Sequence, residues 1–458
     1  MRVEISNLGA IRKAVVDLDK PFTLFCGPNS TGKTYLSYLI YAILESADYV
    51  VSKKLDGLLH FFSANKEFVL TREFVENYIA DFSANIKGKL GSIFGIGDST
   101  VDKLFSQFSI SLILSDEDYC KIINKPCRFG LKNNGKEIVL AKEEFSDKIV
   151  YYVSGEDVSV AERENLTVLQ IVINHFFSRL CFQNMGGVRM LTVERNSIYT
   201  FKTELSLSRN ELVDRIQQQS ATASGLDILE VINGSSRRYP LAVRDSLKIA
   251  NDLENIKKNI SPYYGIAEQI EKGILQGSVQ ITDNGDVEFV SDKMEKNKHL
   301  PIHLTSSIVK TMSSLVIYLK HIARKGDLLI VDEPEMNFHP DVQVLLTRIF
   351  ALLSKQNLRI IISTHSDYII REINNLIMAE NIYSKNPQLV TDLGYDSSML
   401  LNKNDIAIKY FNFGKRKKNL DVVDVEIDNN GFAVESIDNT INEQNRITET
   451  LFYSLEED

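Results

Sequence analysis

Nowhere in the 458 residues does an uninterrupted apolar run approach the roughly 18 residues of a membrane-spanning helix. An integral membrane protein is therefore not expected. No charged-then-apolar export signal opens the chain, and Met1-Arg2-Val3-Glu4-Ile5-Ser6 begins at once with strand-like alternation. Cysteine is scarce: Cys26, Cys120, Cys127 and Cys181 form no CxxC pair, so neither a zinc ribbon nor a disulfide framework is expected. Positive charge is not in excess either. With 52 basic and 61 acidic residues the formal net charge is −9, which argues against a surface built for indiscriminate nucleic-acid binding. The one dense basic run, Lys415-Arg416-Lys417-Lys418, reads as a solvated loop before it reads as a nucleic-acid contact. What is present is an ordinary globular composition, 44% hydrophobic and 25% charged, on a chain long enough for two or three domains. A cytoplasmic protein is expected.

The first informative motif follows Phe22-Thr23-Leu24-Phe25-Cys26, a short apolar run that predicts a buried strand. Gly27-Pro28-Asn29-Ser30-Thr31-Gly32-Lys33-Thr34 then matches GxxxxGK[ST] at every fixed position. Tyr35 to Glu45 carries apolar residues at helical spacing, so the motif stands in the strand–loop–helix context it requires. The residue types suit a phosphate cradle. Glycines at 27 and 32 let the backbone curl so that its N–H groups point inward, and the helix adds its positive end. Lys33 can reach β and γ phosphates, and Thr34 offers a hydroxyl to Mg²⁺.

About 300 residues on, Asp327-Leu328-Leu329-Ile330-Val331-Asp332-Glu333-Pro334-Glu335 predicts a central parallel strand with acids at its carboxyl end. Asp332 is placed to hold Mg²⁺ and Glu333 to polarise an attacking water. Taken alone, the same run also fits a strand ending in a solvated acidic turn. A further strand, Leu358-Arg359-Ile360-Ile361-Ile362-Ser363-Thr364, ends on His365 after a crossover helix from Asp341 to Ser354. A lone histidine is more often structural; at this edge it can sense a γ phosphate or orient the water.

These motifs, in this order, resemble the ABC-class ATPases related to the OLD proteins and to RecF and SMC heads. The resemblance is carried by the phosphate loop, Asp332-Glu333-Pro334-Glu335 with Phe338-His339-Pro340, and Ser363-Thr364-His365-Ser366. It covers roughly residues 1–45 and 190–380. It implies ATP and Mg²⁺ as cofactors, ATP hydrolysis with Glu333 as the catalytic glutamate, and His365 as the switch histidine. It also implies a signature segment supplied in trans by a second copy. Leu304-Thr305-Ser306-Ser307-Ile308-Val309-Lys310 is the candidate, with Ser306, Ser307 and Lys310 facing phosphate at a helix N-terminus that Ser306 or Ser307 would cap. Ile308 stands where the signature usually has glycine. Leu191-Thr192-Val193-Glu194-Arg195-Asn196-Ser197 is similar to a strand-end segment of the same family, and a buried ion pair of Arg195 is expected there. No glutamine-bearing switch loop can be placed.

The expected fold class is α/β: an ABC-type ATPase head, a mostly parallel sheet flanked by helices, with helical insertions and no sustained heptad repeat for a long coiled coil. Residues 1–47 form the N-terminal half of the head with the phosphate loop, and 48–185 a mixed insertion. Residues 186–204 return to the core, 205–275 form a helical arm, and 276–385 carry the second half of the head. Residues 386–458 form a small C-terminal region offered for partner docking. Asn284-Gly285 predicts a hairpin between 277–281 and 286–290. Strands are expected at 421–427 and 431–434, too little for a metal-dependent nuclease domain of OLD type. Two functions follow from the resemblance. One is a sensor or scaffold that controls a separate nuclease or toxin in anti-phage defence, as in the PARIS and Septu systems. The other is a RecF/SMC-like repair or chromosome-maintenance ATPase acting directly on DNA. Both imply a homodimer or higher homo-oligomer through ATP-sandwiched heads.

Overall fold

The computed structural model describes residues 1–45, 65–133, 136–154, 162–182, 185–202, 239–293, 299–413 and 420–456, with Leu58, Phe61 and Phe62 between the first two spans. The basic run 415–418 lies outside the described residues, as does the part of the expected helical arm before Tyr239. The chain opens with β1 (Arg2–Leu8), β2 (Ile11–Asp17) and β3 (Phe22–Cys26). The next stretch supplies β4 (Glu67–Val69), β5 (Ser109–Ile113), β6 (Cys127–Asn133), β7 (Lys136–Lys142) and β8 (Lys148–Ser154), followed by β9 (Val188–Leu191). Then come β10 (Gly277–Ile281), β11 (Val287–Ser291), β12 (His299–Pro301), β13 (Leu328–Asp332), β14 (Arg359–Thr364), β15 (Ile406–Phe413) and β16 (Leu420–Asp424).

Nine of these strands form one sheet in the order β5-β1-β2-β16-β15-β3-β14-β13-β9. The run β15-β3-β14-β13-β9 is parallel throughout. Its three middle strands are almost wholly buried, as the unbroken aliphatic runs predict for strands covered on both faces. Alternate residues feed two cores. Phe25, Leu328, Ile330 and Ile361 pack with the helix Lys33–Glu45 on one face. Leu24, Leu329, Val331 and Ile362 pack with the helices Ser307–His321, Pro340–Lys355 and Asp367–Tyr383 on the other.

Three expectations change. The region 386–458 is not a separate appendage: β15 and β16 lie inside the sheet, between β3 and β2. The insertion 48–185 likewise lends β5 to the sheet edge beside β1, and its apolar residues Phe82, Leu140 and Phe176 share a core with Val3 and Ile40. Strand order is a matter of long-range pairing, which local periodicity does not carry. The strand expected at 431–434 is absent; Asp428 and Gly431 make only an isolated bridge, and the first strand stops at Asp424. The hairpin at Asn284-Gly285 is present as β10–β11, with Gly285 in the left-handed region. The four cysteines are free, and no described helix is long and apolar enough to cross a membrane.

The insertion of β15 has a direct consequence for the phosphate loop. Gly27 has φ +137°, and a Cβ there would sit 2.3 Å from the Phe411 carbonyl oxygen. Gly27→Ala should therefore destabilise the whole sheet by about 3 kcal/mol or more, combining backbone strain with overpacking. The expected result is a lowered Tm even without nucleotide; an unchanged Tm would mean that β15 is not packed against the loop.

Candidate functional site

The parallel register brings the polar ends of three strands to one edge. Cys26 pairs with Thr364, and Asp332 with Ser363, so Gly27, Glu333 and His365 emerge side by side. This is the edge at which open α/β sheets bind ligands. The loop 27–34 curls through left-handed φ values at Ser30 (60°) and Gly32 (92°) before the helix starts at Lys33. Lys33 is buried, and its ammonium donates to the carbonyls of Gly27 and Pro28, each at 3.0 Å. Burial lowers its pKa, against the attraction of Glu333 and Asp332. The ammonium lies 3.4 Å from Nδ1 of His365, and Nε2 of His365 lies 3.0 Å from Oε1 of Glu333. These two neighbours assign the proton to Nε2, leaving Nδ1 to accept from Lys33. Asn29 and Ser30 are exposed at the loop tip and Thr31 is buried, its hydroxyl donating to Pro28.

Asp332 is fully buried, and burial raises its pKa against the nearby hydroxyls of Ser363 and Thr34, which favour the charged form. Oδ1 takes the Ser363 hydroxyl, whereas Oδ2 has no hydrogen-bond partner. An orphaned carboxylate oxygen near the Thr34 hydroxyl is a hard-oxygen donor set that would suit Mg²⁺. Among the described residues, no three His, Cys, Asp or Glu side chains cluster as a metal site. The donor set fits a shared protein–nucleotide ion better than an all-protein cage.

Glu333 itself has φ +48°, a conformation that a non-glycine residue adopts only under constraint. The constraint is visible: Arg195, buried, donates to the carbonyls of Asp332 (2.7 Å), Glu333 (2.6 Å) and Thr192 (3.0 Å). The expected ion pair of Arg195 is thus corrected. Its partners are backbone oxygens at the acidic turn, and burial lowers its pKa to about 10 against the pull of Asp332, Glu335 and Glu333. For Glu333, burial opposes ionisation, but His365 and Lys33 outweigh it and hold the carboxyl below its usual range. A cleft of about 540 Å³ opens beside Asn29, Glu333 and His365. Gln343 lines this cleft, but its amide is engaged by the Phe338 carbonyl and the Ser366 hydroxyl, so it does not supply the missing glutamine loop.

Ser306, Ser307 and Lys310 are not brought to this edge by any described hydrogen bond or ion pair. Ser306 occupies the N-cap of the helix Ser307–His321 but makes no side-chain capping bond, contrary to the expected cap. Both serines are exposed and Lys310 is half-buried. The helix belongs to the core on the face opposite the phosphate-loop helix. Sequence reasoning missed the roles of Ser363, Thr364 and Glu335. Their positions at strand ends were the available signal, but which oxygen meets which donor depends on register.

Fold and site together define a phosphate-loop nucleotide-binding protein of the α/β class. The AAA ATPase domain family matches residues 1–370, and the chain belongs to that family. It is an ATPase. Among solved structures, the chain is similar to an SMC head bound to the C-winged helix domain of ScpA (12% identity, covering 93% of this chain and 97% of that one, TM-score 0.37). A second is the Smc head with an extended coiled coil bound to the C-terminal domain of ScpA from Pyrococcus furiosus (12%, 97% and 98%, TM-score 0.32). A third is the SMC head domain from Thermotoga maritima (10%, 93% and 98%, TM-score 0.31). No curated protein matches.

Proposed function

We propose that this ATPase works as a pair of heads that sandwich ATP, and that the pair is the sensor or scaffold of an anti-phage system controlling a separate nuclease or toxin. The observation that carries the sandwich is the division of the site. Lys33, Asp332, Glu333 and His365 converge at one sheet edge, while the exposed, uncapped N-terminus at Ser306-Ser307 stands on the opposite face's helix. Such an N-terminus has free N–H groups and a partial positive charge ready for a γ phosphate from a second copy.

In this reading the loop 27–34 cradles the phosphates. Lys33 exchanges the Gly27 and Pro28 carbonyls for β and γ oxygens. Thr34 and Asp332 would hold Mg²⁺, which when bound would supply positive charge to the phosphates. Glu333, kept ionised by His365 and Lys33, accepts a proton from the attacking water, and His365 keeps the carboxylate aimed. The two identical surfaces give an isologous twofold interface, so ATP binding is linked to head association and hydrolysis loosens it.

The control of an effector is supported by the C-terminal helix Glu435–Glu456. Its Leu451, Phe452, Tyr453 and Leu455, near the C-terminal end, are more than half exposed, and the helix carries the carboxylates Glu435, Asp438, Glu443 and Glu449 along its length. The exposed apolar end of an acidic helix suits docking of a protein with a basic-rimmed groove. The net charge of −9 favours this over direct action on DNA. A nuclease-like or toxin-like neighbouring gene whose product is released by deleting residues 435–456 is the expected finding.

The sandwich is tested by distance measurement between labelled heads. In a Glu333→Gln background with ATP and Mg²⁺, the heads should engage. Ser307→Arg, which sets bulk and charge on the capping surface, should weaken engagement by about tenfold or more while sparing ATP binding to each chain. Head separation indifferent to ATP would sink the model.

A further inference from the structure

Glu335 lies two residues beyond Glu333, is half-buried and lines the same cleft. Its Oε1 accepts two hydrogen bonds from the end of β14, from the Thr364 hydroxyl at 2.6 Å and from the His365 backbone N–H at 2.7 Å. Its Oε2 is buried without a donor. The neighbouring group is the Glu333 carboxylate, which is also an acceptor. A buried carboxylate oxygen beside a second carboxylate cannot hydrogen-bond to it unless one of the two carries a proton. Glu333 is engaged by His365 Nε2 and attracted by Lys33, so the proton belongs on Glu335.

We propose that Glu335 is a positioning residue for hydrolysis: protonated, it donates from Oε2 to Glu333 while Oε1 anchors the Thr364–His365 turn, so that Glu333 and His365 are held as one unit over the phosphate loop. The inference rests on the reading of Glu333 as the group that activates water. It gives the second glutamate of Asp332-Glu333-Pro334-Glu335 a task distinct from the first.

The electrostatics agree. Burial, and then the charge of Glu333, raise the Glu335 pKa to about 7. The charged or titratable groups facing it are Glu333 on its own turn, His365 at the end of β14, Lys33 in the loop and Arg195 beneath the turn. With a raised pKa, the protonated, donating form prevails below about pH 7 and is lost as pH rises through it. Ionisation then sets a second negative charge against Glu333 and removes its donor.

The test compares Glu335→Gln, Glu335→Ala and Glu333→Gln in steady-state ATP hydrolysis across pH, with ATP affinity measured separately. Glu335→Gln keeps a permanent donor, so most of kcat should be retained below pH 7 and the alkaline fall of the native enzyme should vanish. Glu335→Ala should lower kcat about tenfold or more with ATP affinity little changed, because the described hydrogen bonds of Glu335 go to Thr364 and His365 and not to the phosphate loop. A fall caused by His365 or Lys33 would persist in Glu335→Gln, and its persistence overturns the proposal; so does a native kcat in Glu335→Ala. If Glu335→Ala does not fold, the Glu335→Gln profile alone decides. Native turnover by Glu333→Gln would instead overturn the reading of Glu333, whatever the Glu335 variants do.

Discussion

Lys33→Ala is expected to weaken ATP binding by about 100-fold or more. Truncating one partner of a buried charge pair costs about 2–5 kcal/mol, and 1.4 kcal/mol is a factor of ten. Lys33 is the cation of the loop itself, and its ammonium already lies among acceptors: two loop carbonyls and, at 3.4 Å, His365. Those carbonyls hold the ammonium in place, so the side chain is preorganised and little ordering entropy is lost on binding phosphate. The alanine variant loses the charge and leaves Glu333 and Asp332 facing the phosphates without the counter-charge that Lys33 supplies. Calorimetric titration with ATP measures the loss directly. Because Lys33 is also buried, the variant's Tm in the absence of nucleotide must be measured alongside. Affinity within a factor of two or three of the native value would show that the nucleotide does not sit in this loop.

Glu333→Gln should slow turnover by about 100-fold or more, in the range expected for a positioned general base, while leaving ATP bound. Glutamine preserves volume and can still accept from His365 Nε2, so the 3.0 Å contact need not be lost. What disappears is the negative charge that takes the proton of water. Arg195 holds the Glu333 backbone through its carbonyl, independently of the side chain, so the turn should keep its left-handed form. His365→Ala should act in the same direction and less severely, since it removes the aim of the carboxylate and not the carboxylate. Single-turnover hydrolysis with prebound ATP separates the chemical step from release. Turnover at the native rate in Glu333→Gln would assign the base elsewhere.

The pair of variants also separates two failures that steady-state rates confuse. Loss of Lys33 should raise the ATP concentration needed for half-saturation, whereas loss of Glu333 should lower kcat at saturation. Both residues converge on His365, one through Nδ1 and the other through Nε2. Their effects in a double variant should consequently fall short of additive.

Much of this was legible in the sequence because it is local. The run Phe22–Cys26, the glycine loop and the helix Lys33–Glu45 are contiguous, and each element's periodicity states its burial without reference to the rest of the chain. Leu328–Asp332 and Arg359–Thr364 read as central strands for the same reason, and acids or histidine at their ends mark the ligand edge. Tertiary structure alone decided which strands neighbour the loop strand. The sequence pattern of 406–424 does not say that β15 and β16 enter between β3 and β2, since strand pairing is set by shape and core complementarity across 380 residues of chain rather than by period. It also decided the partners of the buried polar groups. Arg195 looked like half of an ion pair but serves three carbonyls, and Glu335 looked like a second acid but is held by the Thr364 hydroxyl and the His365 N–H, where burial and then Glu333 raise its pKa. Residue type fixes how many hydrogen bonds a group can make; only the packed register, where water is excluded and every donor must be found within reach, fixes with whom.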